Sequence, residues 1–308
     1  RAYNVLPNAI SIQSNTINFK FTPQDKRVKI DAKPNLKYLK IKNNLKVSEK
    51  NCVSWKQALD YQKTNSIMDD TIIFQGYMSN KCSKKEIDLS VIDNSRYFYE
   101  AFKYLWVQNG GDFSGGYWVN DDERLEGELL SSHLSRPLGV LVRDMNKHSL
   151  NLMSRNLMLT VMAENLEIKA TEDDVNRFVL DWLSNNDIIT NNIFIENGAG
   201  LSRRTSINAE SLLEIMDKIY EHPYMPEILS SFSILNEDGT LEKKMPLSKV
   251  KKNGHFKTGS LKNVSAIAGY LVDKEKNKKI LIFLMNDKAA NKSHNFQNDL
   301  INLAFEPI

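Results

Sequence analysis

The sequence predicts a mixed α/β (α+β) chain with a β-rich first part and a remainder that alternates helices with strands. Two patterns carry this expectation. Short stretches of period-two alternation dominate positions 1 to 92, and helix start and stop signals dominate from 93 onward. Composition agrees: 308 residues, 41% apolar and 26% charged, suit one large or two modest globular domains. Basic side chains exceed acidic ones by only 3, too even a balance for a dedicated nucleic-acid binder. The longest strongly apolar run, Ile280 to Met285, is too short to cross a bilayer.

In chain order, Ile10 to Ile12, Ile17 to Phe21, Val28 to Ile30 and Leu39 to Lys42 alternate as strands do. From Lys26 to Lys50 there are 9 basic and 2 acidic side chains, a row read as a solvated strand edge that discourages aggregation. A weak contact with an anionic polymer or lipid head groups is the sharper alternative. Thr71 to Met78 and Glu86 to Val91 add two strands, and Ser95 is expected to cap a helix to Gln108, closed by Gly110-Gly111. Helices follow from Pro137 to Lys147 and Leu150 to Asn165, broken at His148-Ser149, and another starts at Thr171-Glu172-Asp173-Asp174. Ile188 to Ile195 reads as a strand, Asn208 caps a helix to Tyr220, and Pro226 to Phe232 forms a shorter one. Strands at Val264 to Val272 and Lys279 to Met285 flank a turn, and a last helix spans Asn295 to Ala304.

Cys52 and Cys82 are the only cysteines. Two thiols with no His cluster nearby do not make a zinc site, so no metal and no cofactor is expected. They are either two unrelated buried thiols or a disulfide pair. Position 1 is Arg, and residues 1–12 have neither a signal-peptide nor a transit-peptide pattern, so the chain is expected to be a processed product or a piece of something longer.

Three segments carry chemistry. Lys257-Thr258-Gly259-Ser260 lies on an expected strand that leads into a hairpin. There an ammonium and a hydroxyl can bind a substrate carboxylate, the Ser260 N–H can donate to a developing oxyanion, and the small Gly259 lets a substrate backbone approach. Ser149-Leu150-Asn151 is one of five S-x-N triplets, and it alone sits at the break between two expected helices, where a hydroxyl and an amide can face a cleft. Glu196 to Arg203 ends a strand with Gly198, Gly200 and Leu201 between polar residues.

Together these segments resemble the penicillin-binding D-alanyl-D-alanine carboxypeptidases, closest to the low-molecular-mass class C group, which also has endopeptidase activity. That family carries S-x-x-K with the nucleophile, S-x-N on an inter-helix loop and K-T-G on an edge strand. Met145 to Leu152 looks like its second motif and Lys257 to Leu261 its third. Gly198 to Arg203 is similar to its D-G-S-G-L-S-R loop, with Asn197 for Asp and Ala199 for Ser. The resemblance implies a β-lactamase/transpeptidase-like domain over 93–308 and part of a β-rich inserted domain over 1–92. It implies catalytic roles for Ser149, Asn151 and Lys257, and substrate contacts for Thr258, Gly259, Ser260 and Leu201. It also implies a Cys52–Cys82 disulfide, a bacterial periplasmic or cell-envelope location, and peptidoglycan stem peptides ending in D-Ala-D-Ala as substrates, with β-lactams as inhibitors.

The first motif is absent. The single S-x-x-K, Ser248 to Lys251, lies just before Lys257 in a Lys-rich loop and reads as a chance match. The chain is therefore expected to lack the nucleophile-bearing portion, to be inactive alone, and to be found with that fragment associated. The alternatives are a non-catalytic peptidoglycan- or β-lactam-binding module and a structural surface protein with decoy motifs. The resemblance also sets a geometric condition: Lys257 and Ser149 must lie within about 6 Å of each other to share one substrate.

Overall fold

The computed structural model describes residues 5–52, 54–65, 69–119, 128–167, 169–242 and 250–307. These fall into two compact units, Arg1–Glu128 and Leu129–Ile308.

The first unit contains, in order, β1 (Ile17–Pro23), β2 (Val28–Lys33), β3 (Leu39–Ser48), the short helix α1 (Trp55–Ala58), β4 (Leu59–Asn65), β5 (Asp70–Ser79), β6 (Lys85–Leu89) and α2 (Asn94–Gln108). One antiparallel sheet has the order β2-β1-β6, and the other has the order β3-β5-β4, with β3 parallel to β5. Period-two alternation does the packing. Ile17, Phe19 and Phe21 of β1 and Ile72 and Phe74 of β5 are buried while the residues between them are not. The Phe74 ring meets Phe19 edge-on at 5.0 Å and Phe21 at 5.1 Å, so this aromatic cluster joins the two sheets. Cys52 and Cys82, which follow the parallel pair β3 and β5, form a disulfide. Lys29 and Lys33 lie on β2, and Lys40, Lys42 and Lys46 on β3; both are edge strands and these lysines are exposed, as the edge reading expected.

Three local expectations for this unit change. Ile10 to Ile12 is not a strand, because Gln13, Ser14 and Asn15 all take positive φ and turn the chain before any partner strand is met. Helix α2 is capped by Asp93, two residues earlier than Ser95; its carboxylate accepts the N–H groups of Ser95 and Arg96. Tyr97 and Ala101 of α2 are buried in the β-rich core, so α2 goes with the first compact unit, although the sequence assigns it to the second part. Strand β4 went unread because it is polar: only Leu59 and Tyr61 of this edge strand turn partly inward.

The second unit contains α3 (Leu138–His148), α4 (Asn151–Leu166), α5 (Val175–Asn185), α6 (Ala209–Glu221), α7 (Met225–Ser231), β7 (Ser233–Ile234), β8 (Gly254–Leu261), β9 (Val264–Val272), β10 (Lys278–Asn286) and α8 (His294–Phe305). The four strands form an antiparallel sheet in the order β10-β9-β8-β7. One face, with Phe256, Ile267, Leu271 and Leu281, packs under Ile301 of α8. Alternation along the same strands places His255, Lys257 and Gly259 on the other face. Ile188 to Ile195 is not a strand: Asp187 and Asn192 take positive φ, and only Phe194 makes a bridge, to Ser206. Its apolar residues are used all the same, with Ile188 and Ile193 buried against Leu183 of α5.

Candidate active site

Helix α3 stops at Ser149 because that residue adopts φ 54°, ψ 53°, the left-handed region that costs a non-glycine residue about 1–2 kcal/mol. The N–H groups of Ser149 and Leu150 both donate to the Met145 carbonyl, closing α3 before α4 starts at Asn151. This break leaves the Ser149 side chain exposed in the turn between two helices.

Lys257 lies 108 residues further along, on β8. Its Nζ donates to Ser149 Oγ at 3.0 Å and to the Thr258 carbonyl at 3.0 Å. The two motifs thus meet at hydrogen-bond distance, well inside the limit the sequence reading set. Asn151, partly buried, opens α4 two residues beyond Ser149. The Thr258 hydroxyl shares a 3.0 Å hydrogen bond with the Thr240 hydroxyl, a residue the motifs do not include. Gly259 and Ser260 are exposed. Strand β7 pairs with β8 only at His255 and Phe256, so among the described strands none covers this edge of β8 from Lys257 on.

A second set of contacts fastens the Ser149 turn from behind. Lys147 is 6% exposed; its Nζ donates to the Asp238 carboxylate and, at 3.1 Å, to the Phe232 carbonyl. Asp238 accepts the Ile234 N–H at 2.8 Å, and Asn146 donates to Ser231 Oγ at 2.8 Å. Burial alone would raise the Asp238 pKa. The hydrogen bonds from Lys147 and Ile234, with the charges of Lys147 and Arg143, outweigh it and hold the carboxyl below its usual 3.8. Gly239, with φ 58°, is required here, since a Cβ would lie 2.4 Å from Ser233 Oγ and 2.8 Å from the Lys147 carbonyl.

The loop at 196–203 is anchored at both ends. Ser154 of α4 donates to the Gly198 carbonyl at 2.5 Å, and a Cβ on Gly198 would lie 2.9 Å from that helix's Ser154 carbonyl. Arg203 reaches the Lys262 carbonyl, in the turn after β8, at 2.8 Å. Asn197 accepts the Ala199 N–H at 3.0 Å, so the side chain standing in the place of the family's Asp closes the loop on itself. Leu201 sits half-buried between the two anchors.

On the same face of β8 as Lys257, His255 is half-buried with Nδ1 3.1 Å from the Leu229 carbonyl. Burial lowers its pKa, outweighing that carbonyl. Its neighbour Tyr270 donates to the Met216 carbonyl at 2.7 Å and is pushed up to about 12, by burial first and then by the nearby Asp217 charge. Among the described residues no cluster of His, Cys, Asp and Glu could hold a metal, and no helix is long and apolar enough to cross a membrane. Ser248 and Lys249 of the S-x-x-K match lie outside the described residues.

The chain is 25% identical over 230 residues to D-alanyl-D-alanine carboxypeptidase DacB of Haemophilus influenzae, covering 73% of this chain and 48% of that protein. It thus spans about half the length of that relative. Its fold is that of crystal structures of penicillin binding protein 4 (dacB) from the same organism. One has TM-score 0.83 at 20% identity, covering 99% of this chain and 69% of that one. The other, complexed with a β-lactam, has TM-score 0.80 at 20% identity, covering 97% and 71%. Finally, the profile of the D-Ala-D-Ala carboxypeptidase 3 (S13) family matches residues 1–305, from the β-rich strands through the Ser149 turn to the strand bearing Lys257 and on into α8, and the chain belongs to that family.

Proposed function

We propose that this chain forms the carboxylate-binding and proton-relay side of a serine-type D-Ala-D-Ala carboxypeptidase/endopeptidase. Its substrates are peptidoglycan stem peptides, its inhibitors are β-lactams, and it works in the bacterial periplasm or cell envelope. The observation that carries this is the 3.0 Å contact between Lys257 Nζ and Ser149 Oγ. An ammonium only donates, so Ser149 Oγ is the acceptor in that pair and keeps its own proton for the leaving nitrogen of the substrate.

In this reading Lys257 and Thr258 hold the terminal carboxylate and Asn151 holds the substrate amide. The open edge of β8 takes an extended peptide, as exposed sheet edges do. The exposed Gly259 leaves room for that backbone, the Ser260 N–H faces the developing oxyanion, and Leu201 borders the substrate. A serine hydroxyl outside the described residues attacks the carbonyl of the penultimate D-Ala, the C–N bond breaks, and D-Ala leaves with a proton relayed through Ser149. Water then hydrolyses the ester. We place that nucleophile on an S-x-x-K segment beyond these 308 residues, associated with them in the working enzyme, since Ser248 to Lys251 follows the S-x-N motif and falls just before Lys257, the wrong order for the first motif. By chain order residues 1–92 are the inserted part and 93–308 the transpeptidase-like part, with α2 of the latter packed into the β-rich compact unit.

Fluorescent penicillin tests this. Covalent labelling of protein that includes the S-x-x-K segment, with none on the 308 residues alone, is the expected result. Reversible binding by both without covalent label would favour a non-catalytic binding module. An adduct on Ser248 would overturn the placement of the nucleophile.

A further inference from the structure

We propose that Lys147 and Asp238 are positioning residues that set the separation of Ser149 from Lys257 and thereby the rate of acyl transfer; this rests on the reading given above.

The burial of Lys147 is the first reason. An ammonium at 6% exposure loses most of its hydration, and an apolar side chain of similar length would fill the same space without that cost. What the ammonium does that an apolar chain cannot is hold two acceptors, the Asp238 carboxylate and the Phe232 carbonyl, from the last turn of α3. Ser149 follows two residues later.

Connectivity is the second reason. Phe232 precedes β7, which pairs with His255 and Phe256 immediately before Lys257. Asp238 binds the Ile234 N–H of that same β7. Two residues on from Asp238, Thr240 donates its N–H to Ser233 Oγ at 3.2 Å and shares a hydrogen bond with Thr258, immediately after Lys257. The end of α3 is therefore tied to β8 on both sides of Lys257, and both ties converge on the Lys147–Asp238 pair. Ser149 itself is exposed and in a left-handed conformation, so its placement depends on what anchors the helix end. A displacement of about 1 Å between reacting groups costs on the order of 100-fold in rate.

The test uses protein that includes the S-x-x-K segment, with Lys147→Met, Lys147→Arg, Asp238→Asn and Asp238→Ala. Acylation by fluorescent penicillin is followed well below each variant's Tm, reading the second-order rate constant and the final stoichiometry separately. Lys147→Met and Asp238→Ala are expected to slow acylation by roughly 30-fold or more at full stoichiometry. The double variant should be no slower than the worse single one, and Lys147→Arg should recover part of the rate. Lys274→Met, which removes an exposed pair with Glu306 and a contact over the Phe305 ring, should stay within about twofold of wild type. Rates within about threefold of wild type alongside a lowered Tm would mean that the pair only stabilises the fold, and would overturn the proposal. Where Lys147→Met fails to fold, Asp238→Asn, which keeps the shape of the side chain, decides on the same criterion. If wild-type protein takes no label at all, the proposed function fails instead. The positioning claim is then judged by crystal structures: a Ser149–Lys257 separation beyond hydrogen-bond reach in Lys147→Met or Asp238→Asn supports it, and an unchanged contact overturns it.

Discussion

The two units of the chain use their residues in opposite ways. In the β-rich unit the side chains that alternate inward meet each other, with Phe19 and Phe21 both in ring contact with Phe74 and a disulfide in the same core. In the second unit the sheet buries one face under α8 and carries Lys257 on the other, beside an open strand edge. Ile280 and Ile282 on that second face are only partly buried, and Leu284 is 39% exposed. The first unit closes its sheets on each other; the second leaves one sheet face partly uncovered and, among the described strands, one edge of β8 unpaired from Lys257 on. Apolar packing without direction suffices for the first, whereas the second needs directed hydrogen bonds to hold polar groups apart from one another and from water.

The sharpest way to break this comparison is Phe74→Ala. A ring with no exposed surface and three aromatic neighbours should cost about 3–5 kcal/mol in chemical denaturation, read from the first unit's own probes. A loss under about 1 kcal/mol would mean that the sheets are not joined through this cluster. Next comes the double substitution Cys52→Ser with Cys82→Ser. Opening a bridge of sequence separation 30 removes about 3–4 kcal/mol by the chain-entropy account. The Lys257–Ser149 contact, within the other unit, should survive it; a lost contact in a crystal structure of the variant would show that the two halves are not independent.

The third prediction moves to the second unit. In protein that includes the S-x-x-K segment, Lys257→Ala should cost roughly 2–4 kcal/mol of transition-state stabilisation, about 30- to 1000-fold in kcat/KM, with little change in stability. A variant within twofold of wild type would remove Lys257 from the site. The smallest effect concerns His255. Its folded pKa is lowered by burial, so between 6.5 and that lower value the unfolded chain binds a proton that the folded chain does not. Its contribution to stability is complete above 6.5 and declines as pH falls through that window. Denaturation of His255→Gln across pH 5 to 8 should show a flatter profile than wild type, and an identical slope would place the titration elsewhere.

Much of this architecture is legible in the residues. Strands β1 and β5 follow from alternation, α6 from its Asn208 cap, and the helix break at Ser149 from the polar His148-Ser149 step between two apolar-periodic segments. Where reading failed, a tertiary contact outweighed local preference. Ile188 to Ile195 looks like a strand because its apolar residues are dense, yet Ile188 and Ile193 are buried by α5 and α6 with the chain turning at Asp187 and Asn192. Strand β4 is polar and is held by pairing with β5. Lys147 and Asp238 were passed over because a lysine before a turn and an Asp-Gly pair both look like surface residues until the fold buries them together.

The sequence by itself determined the local elements, the motif order and the membership these imply, since capping, alternation and triplet spacing act over a few residues. Only the tertiary structure decided that, of five S-x-N triplets, the one at Ser149 has Lys257 at 3.0 Å, and that a buried ion pair stands behind it. Those facts depend on groups about 90 and 108 residues apart, and no local preference encodes such a distance; it is fixed when α3, β7 and β8 pack and satisfy their polar groups together.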